Sequence, residues 1–214
     1  MAETAKVSNP SKKVLIPSLK AGCSLAESIT AEDVRELREL HPGVPIVTYV
    51  NTSAAVKAEC DYSCTSGNAK RVIDSIDSDH IIYIPDEFMA QNLARETGKN
   101  VVYPSNLKDR QEQGADLKQV ERAIIAWNGR CEVHEQFTVE DIQNVRKQFP
   151  EVKVISHPEC PPDVVEHSDY SGSTSQMVDF VRDNPAGKYL LLTECSMGDN
   201  IIAENPEADV LRLC

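Results

Sequence analysis

Short β-branched runs alternate with amphipathic stretches along this chain. After Thr30, apolar positions recur at Val34, Leu37 and Leu40, so Ala31–Leu40 is expected to be a helix with one apolar stripe. Thr30-x-x-Asp33 is a variant of the capping box, which satisfies the free amides at a helix start, and Pro42 stops the helix. Val44–Val50 reads as a buried strand, Ser53–Glu59 as a short helix and Asp61–Cys64 as a short strand. A further helix is expected from Gly67 to Ile76, a strong strand at His80–Pro85, and a helix at Glu87–Thr97 closed by Gly98. Near the start, Lys13–Pro17 reads as one more apolar strand, and the charged segment Asn106–Ile125 is helical in pattern. Strands alternating with helices at this spacing predict parallel sheets covered on both faces. Such sheets place ligands at the carboxyl ends of their strands.

The pattern occurs twice. Cys23 and Cys131 stand 108 positions apart, and that offset holds without a gap. It sets Thr30 to Val34 on Thr138 to Ile142, Arg38 on Arg146, and Pro42 on Pro150. It sets Val44, Ile46 and Val47 on Val152, Val154 and Ile155, and Asp61-Tyr62-Ser63 on the identical Asp169-Tyr170-Ser171. A duplicated structural unit is implied, with about a hundred residues per copy, enough for a modest core. Residues 23–130 form the first complete repeat, 131–214 the second, and 1–22 a remnant of a preceding domain. The insert Asn106–Ile125 belongs to one copy only. Where the copies agree they report fold; where they differ in polar chemistry at equivalent strand ends they point to a site.

The formal charge of −12 gives nucleic acid and anionic membranes no electrostatic reason to bind. No apolar run approaches the ~20 residues of a membrane span. The polar start at Met1 lacks the basic and apolar regions of a signal peptide, so the chain reads as cytosolic. Its seven cysteines are then expected to be metal-binding, catalytic or buried thiols rather than disulfides.

Three groups of residues have chemical potential. Cys23 and Cys131 occupy the same turn before a helix in each copy, where a metal or cluster shared between units would take one thiolate from each. Two thiolates are too few for a zinc or iron–sulfur site, so another ligand is implied; two buried structural cysteines are the other reading. Tyr49 and Asn51, matched by His157 and Glu159, lie at the end of the equivalent strand with each pair projecting to one face. His157-Pro158-Glu159 suits general acid–base work, against the plainer role of a core histidine. Thr65-Ser66-Gly67-Asn68 and Gly172-Ser173-Thr174-Ser175 each precede a helix, where hydroxyls and amides can hold carboxylate or phosphate or simply cap the helix. His134 has the apolar counterpart Ala26, which suggests a role in a site, with a surface histidine as the alternative. Cys60, Cys64, Cys160 and Cys195 have no cysteine counterparts and read as small buried residues.

Ala21-Gly22-Cys23-Ser24-Leu25-Ala26, Tyr49-Val50-Asn51-Thr52-Ser53-Ala54, Cys64-Thr65-Ser66-Gly67-Asn68-Ala69, Gly129-Arg130-Cys131-Glu132-Val133-His134, His157-Pro158-Glu159-Cys160 and Gly172-Ser173-Thr174 together resemble quinolinate synthase over essentially the whole chain. The resemblance implies repeated three-layer α/β/α domains with parallel sheets around a pseudo-threefold axis. It implies a central [4Fe–4S] cluster held by one cysteine per domain, with one iron open to act as a Lewis acid. Cys23 and Cys131 match two ligands, and Cys214 stands for the third or for the first cysteine of a Cys-x-x-Cys pair. The implied enzyme is a transferase of NAD biosynthesis that condenses iminosuccinate with dihydroxyacetone phosphate to quinolinate, with a functional link to L-aspartate oxidase. By motif match, Tyr49 and Asn51 would orient substrate oxygens, and Ser66, Ser173 and Thr174 would hold carboxylate or phosphate. Glu159 would transfer protons, with His157 binding substrate or assisting and His134 a further member of the site.

Family members carry a preceding Ala-His-Asn-Tyr-like segment and continue past this C-terminus. The chain is therefore expected to be partial, poorly soluble or self-associating, and of little activity by itself. Two competing readings are a non-catalytic α/β module that binds a dicarboxylate or phosphate, and a zinc protein using Cys23, Cys131 and Cys214.

Overall fold

The computed structural model describes residues 1–103 and 120–213. The chain divides into two compact units, Met1–Arg130 and Cys131–Cys214. No helix among the described residues is long and apolar enough to cross a membrane.

The first unit opens with α1 (Ala2–Ser8), followed by α2 (Ser24–Glu27), α3 (Ala31–Leu40), β1 (Ile46–Tyr49), α4 (Ala54–Ala58) and β2 (Tyr62–Cys64). It continues with α5 (Ala69–Ser75), β3 (His80–Ile84), α6 (Glu87–Thr97), β4 (Asn100–Val102) and β5 (Ala123–Ala126). The second unit contains a 3₁₀ turn (His134–Gln136), α7 (Val139–Gln148), β6 (Lys153–Ser156), α8 (Pro162–His167), β7 (Tyr170–Ser171), α9 (Thr174–Arg182), β8 (Lys188–Leu192), α10 (Ser196–Glu204) and β9 (Asp209–Arg212). Both sheets are parallel throughout, in the order β2-β1-β3-β5-β4 in the first unit and β7-β6-β8-β9 in the second. The mixed α/β class with parallel sheets is as the sequence pattern predicts.

The 108-residue offset is a structural identity. Ile46 pairs with Ile82 in the first sheet, and their counterparts Val154 and Leu190 pair in the second. Val47 pairs with Tyr62 as Ile155 pairs with Tyr170. Thr30 and Thr138 each form a full capping box with the aspartate three residues on.

The repeated Asp-Tyr-Ser has a structural cause. Asp61 accepts the Ile46 amide at 2.8 Å on one carboxylate oxygen, and Arg38 donates to the same carboxylate at 3.1 Å. In the second unit Asp169 accepts the Val154 amide at 2.7 Å and an Arg146 donor at 2.9 Å. The backbone closes the loop, with the Asp61 amide donating to Ile46 and the Asp169 amide to Val154. One carboxylate thus joins a helix, an amide at the start of an inner strand and the edge strand beside it.

Two expectations change. Lys13–Pro17 forms no strand, and Leu15 and Leu19 are 88% and 94% exposed; an apolar run without a partner strand among the described residues gains nothing from extension. The segment Asn106–Ile125 does not end as a helix: Ala123–Ala126 is β5, buried along its length between β3 and β4. Its part from 106 to 119 lies outside the described residues. The polar start forms α1, with Glu3 accepting the Ala54 amide at 2.7 Å.

Glycine is required at two places. Gly98 closes α6 at φ 66°, the left-handed conformation. At Gly129 an added Cβ would lie 2.4 Å from the Pro85 carbonyl oxygen, because the Gly129 amide donates to that oxygen and Glu87 donates to the Gly129 carbonyl.

Replacing Asp61 or Asp169 by alanine removes a charge-assisted bond to a strand amide and is expected to cost about 1–2 kcal/mol. Arg38→Met or Arg146→Met removes only the half-exposed partner and should cost less. Urea denaturation of the four variants checks the ranking, and equal losses for Asp and Arg would contradict it.

Candidate functional site

In the second unit the central strand β6 is buried from Val154 to Ser156, and the chain leaves it at His157. The His157 amide donates to Leu192 at the end of β8 at 3.2 Å, which keeps the strand-end backbone satisfied. Two residues on, Glu159 is 2% exposed. The 3₁₀ turn after Cys131 brings His134 onto the same strand ends, itself only 6% exposed. His134 Nδ1 lies 2.8 Å from Glu159 Oε2, and His134 Nε2 lies 3.1 Å from Thr193 Oγ1. The rings of His134 and His157 stack, with centroids 4.8 Å apart and planes inclined by 20°. Ligand atoms of Cys131, His134 and Glu159 all lie within 4.8 Å of one another.

The electrostatics give the two histidines different roles. Burial pushes the His157 imidazole down to about 4, with Glu159 opposing that shift and His134 reinforcing it. The Glu159 amide donates to His157 Nδ1 at 3.3 Å, so the neutral ring carries its proton on Nε2. The 3.7 Å approach of His157 Nδ1 to Glu159 Oε2 is therefore a contact between two acceptors and no ion pair. A carboxylate this deeply buried needs a polar partner, and His134 Nδ1 approaches it to 2.8 Å. Thr193 was missed in the sequence: a threonine after a strand is common, and only the folded sheet brings it to His134.

In the first unit the equivalent strand end presents Tyr49, 5% exposed, and the half-buried Asn51. The loop between them is tied down by Lys57, whose ammonium donates to the Val50 carbonyl at 2.9 Å and to Thr52 Oγ1 at 3.1 Å. Ser66 is half-buried in the turn before α5, where Asn68 Oδ1 accepts the Thr65 amide at 2.7 Å. In the second unit Ser173 is the N-cap of α9, and its hydroxyl accepts the Gln176 amide at 3.4 Å. Thr174 is exposed at the first position of that helix. The cavity it lines also carries Asp179 and Glu204, whose charge disfavours an anion there.

Cys23 is exposed and is the N-cap of α2; Cys131 is half-buried. Neither is in a disulfide. Cys60 and Cys64 differ in kind. Burial, reinforced by Asp61, pushes the Cys60 thiol up to about 12, and burial pushes Cys64 up to about 11. Cys160 is fully buried, with its thiol donating to the Leu192 carbonyl. Cys195 departs from the expectation of thiols throughout, because it is disulfide-bonded. Cys214 lies outside the described residues.

A family model described as quinolinate synthetase A protein matches residues 1–214. Quinolinate synthase 2 of Mesorhizobium japonicum is 52% identical over 214 residues, covering all of this chain and 59% of that protein. The quinolinate synthases of Xylella fastidiosa (strain Temecula1) and Agrobacterium fabrum are 50% and 51% identical, again over the whole chain and over 56% and 55% of their own lengths. The chain thus spans little more than half the length of the relatives it matches.

The thiol environments make a prediction. With iodoacetamide at pH 8, the exposed Cys23 should react at least ~10 times faster than Cys60 or Cys64, whose thiolates burial disfavours. Peptide mass spectrometry over time reads the rates, and similar rates at all three would contradict the assignment.

Proposed function

The chain belongs to the quinolinate synthetase A family, and on that premise we propose that it carries active-site residues of a quinolinate synthase, a cytoplasmic transferase of NAD biosynthesis. The reaction joins iminosuccinate to dihydroxyacetone phosphate and releases phosphate and water, with no oxidant required. An imine of this kind hydrolyses readily in water, which favours a functional link to the L-aspartate oxidase that would supply it. The observation that most supports the reading is the buried contact of Glu159 with His134, at the carboxyl end of β6 and beside Cys131.

Glu159 is the proton-transfer group. Its carboxylate is buried, and His134 Nδ1 orients one oxygen at 2.8 Å. A carboxylate held in this way can take a proton from a substrate carbon or imine and return it to a leaving hydroxyl. His157 is neutral at physiological pH and offers Nε2–H to a substrate oxygen; it does not compete with Glu159 as a base. Tyr49, Asn51 and Ser66 are the residues of the first unit that would orient carboxylate and carbonyl oxygens, and in the second unit Ser173 would hold carboxylate or phosphate with the amides of α9; Thr174 is set aside, because the cavity it lines carries Asp179 and Glu204.

The donor set fits a [4Fe–4S] cluster. Cys23 and Cys131 are thiols outside any disulfide at equivalent turns, whereas burial opposes thiolate formation at Cys60 and Cys64 and the Cys160 thiol is engaged by the Leu192 carbonyl. Cys23 and Cys131 would be two of its ligands. When bound, such a cluster with one open iron supplies Lewis-acid polarisation of substrate oxygen.

Anaerobic reconstitution with iron and sulfide should give a brown protein with about four of each per chain, and Cys23→Ala or Cys131→Ala should remove it. Glu159→Gln should retain the iron and lower quinolinate formation by about 100-fold. A colourless protein that binds dicarboxylates in both parent and cysteine variants would replace this reading with that of a binding module.

A further inference from the structure

Cys131, His134 and Glu159 form a donor set that no residue outside the second unit is needed to complete. Their ligand atoms lie within 4.8 Å of one another, and His134 and Glu159 are almost wholly buried. Thiolate, imidazole and carboxylate are the three donor types that bind zinc. Around a tetrahedral ion with bonds of 2.0–2.3 Å, donors stand about 3.3–3.8 Å apart. His134 Nδ1 and Glu159 Oε2 stand 2.8 Å apart, and His134 Nδ1 makes no hydrogen bond among the described residues. Seating a cation between them needs the pair to open by about half an ångström and the thiol to close by about 1 Å.

We propose that the second unit is by itself a site for one divalent transition cation of zinc type, bound by Cys131 Sγ, His134 Nδ1 and a Glu159 carboxylate oxygen. The charges balance, since thiolate and carboxylate together neutralise a dication in a buried setting. Thr193 is the positioning residue. Its hydroxyl at 3.1 Å from Nε2 accepts the Nε2 proton and leaves the Nδ1 lone pair for the metal, as partners of ligating histidines do. His157 stacks on the opposite side and fixes the ring plane. Three protein donors leave a fourth position for water or a ligand oxygen. Because Cys131 cannot serve both groups, occupancy by this cation excludes the cluster. The site does not rest on the cluster assignment, which requires Cys23 as well.

Cobalt(II), added anaerobically to the chain in its iron-free form, tests this. One equivalent should produce a thiolate-to-cobalt charge-transfer band with intense visible bands of a tetrahedral site, both displaced by zinc. Cys131→Ser should abolish the charge-transfer band, and Glu159→Gln should weaken binding. Thr193→Val should weaken it by about 10-fold to 100-fold, with circular dichroism confirming that each variant is folded. Cys23→Ala should bind cobalt like the parent although it loses the cluster, which separates the two assignments. Preloaded zinc should block iron and sulfide uptake. The proposal is overturned if no charge-transfer band forms, if it survives Cys131→Ser, if Cys23→Ala abolishes it, or if zinc-loaded protein takes up iron and sulfide at the parent rate.

Discussion

Each sheet depends on a carboxylate at the entry to its central strand. Asp61 accepts the first amide of β1 and Asp169 the second amide of β6, while an arginine of the preceding helix holds the same carboxylate. In a sheet buried on both faces, a slip of one residue would turn every apolar side chain to the opposite face. The aspartate forbids that slip by tying helix, central strand and edge strand to one register. The matching registers of the two units follow from it, and so does the place where each central strand ends. Those ends carry Tyr49 and Asn51 in one unit and His157 and Glu159 in the other.

At the second strand end, burial decides the chemistry. His134 approaches the Glu159 carboxylate to 2.8 Å and His157 to 3.7 Å. Burial keeps His157 neutral, while His134 is shared between Glu159 and Thr193. Stacked rings beside one carboxylate therefore perform different tasks: one orients the carboxylate, the other offers a neutral N–H. Cys131 lies next to them, with its sulfur within 4.8 Å of the His134 and Glu159 ligand atoms.

Where the copies diverge, sequence pattern was a poorer guide. The segment confined to the first copy ends in β5, which inserts between β3 and β4. In the second unit β9 pairs directly with β8. By offset, β4 is the counterpart of β9, so the inserted strand has displaced β4 to the sheet edge. Alanine and isoleucine at Ala123–Ala126 satisfy a helix or a strand equally well in periodicity, and only the unpaired edge of β3 chose between them. Lys13–Pro17 shows the converse, a strand-like run with no edge to join.

The sequence by itself determined the duplication, the parallel α/β class, the helix boundaries at Thr30, Thr138 and Gly98, and the strand ends at which polar residues replace apolar ones. These are local signals: caps, periodicity and a fixed offset act through neighbours in the chain. The match of motifs to one family was legible there too. Tertiary structure alone decided the strand order around β5, the role of the repeated aspartates, and the meeting of His134 with Glu159 and Thr193. Those depend on residues 25 and 59 positions from His134, and no local propensity encodes a distance between strand ends. It also separated the thiols, because whether a cysteine can ionise depends on the burial around it and not on its spacing in the chain.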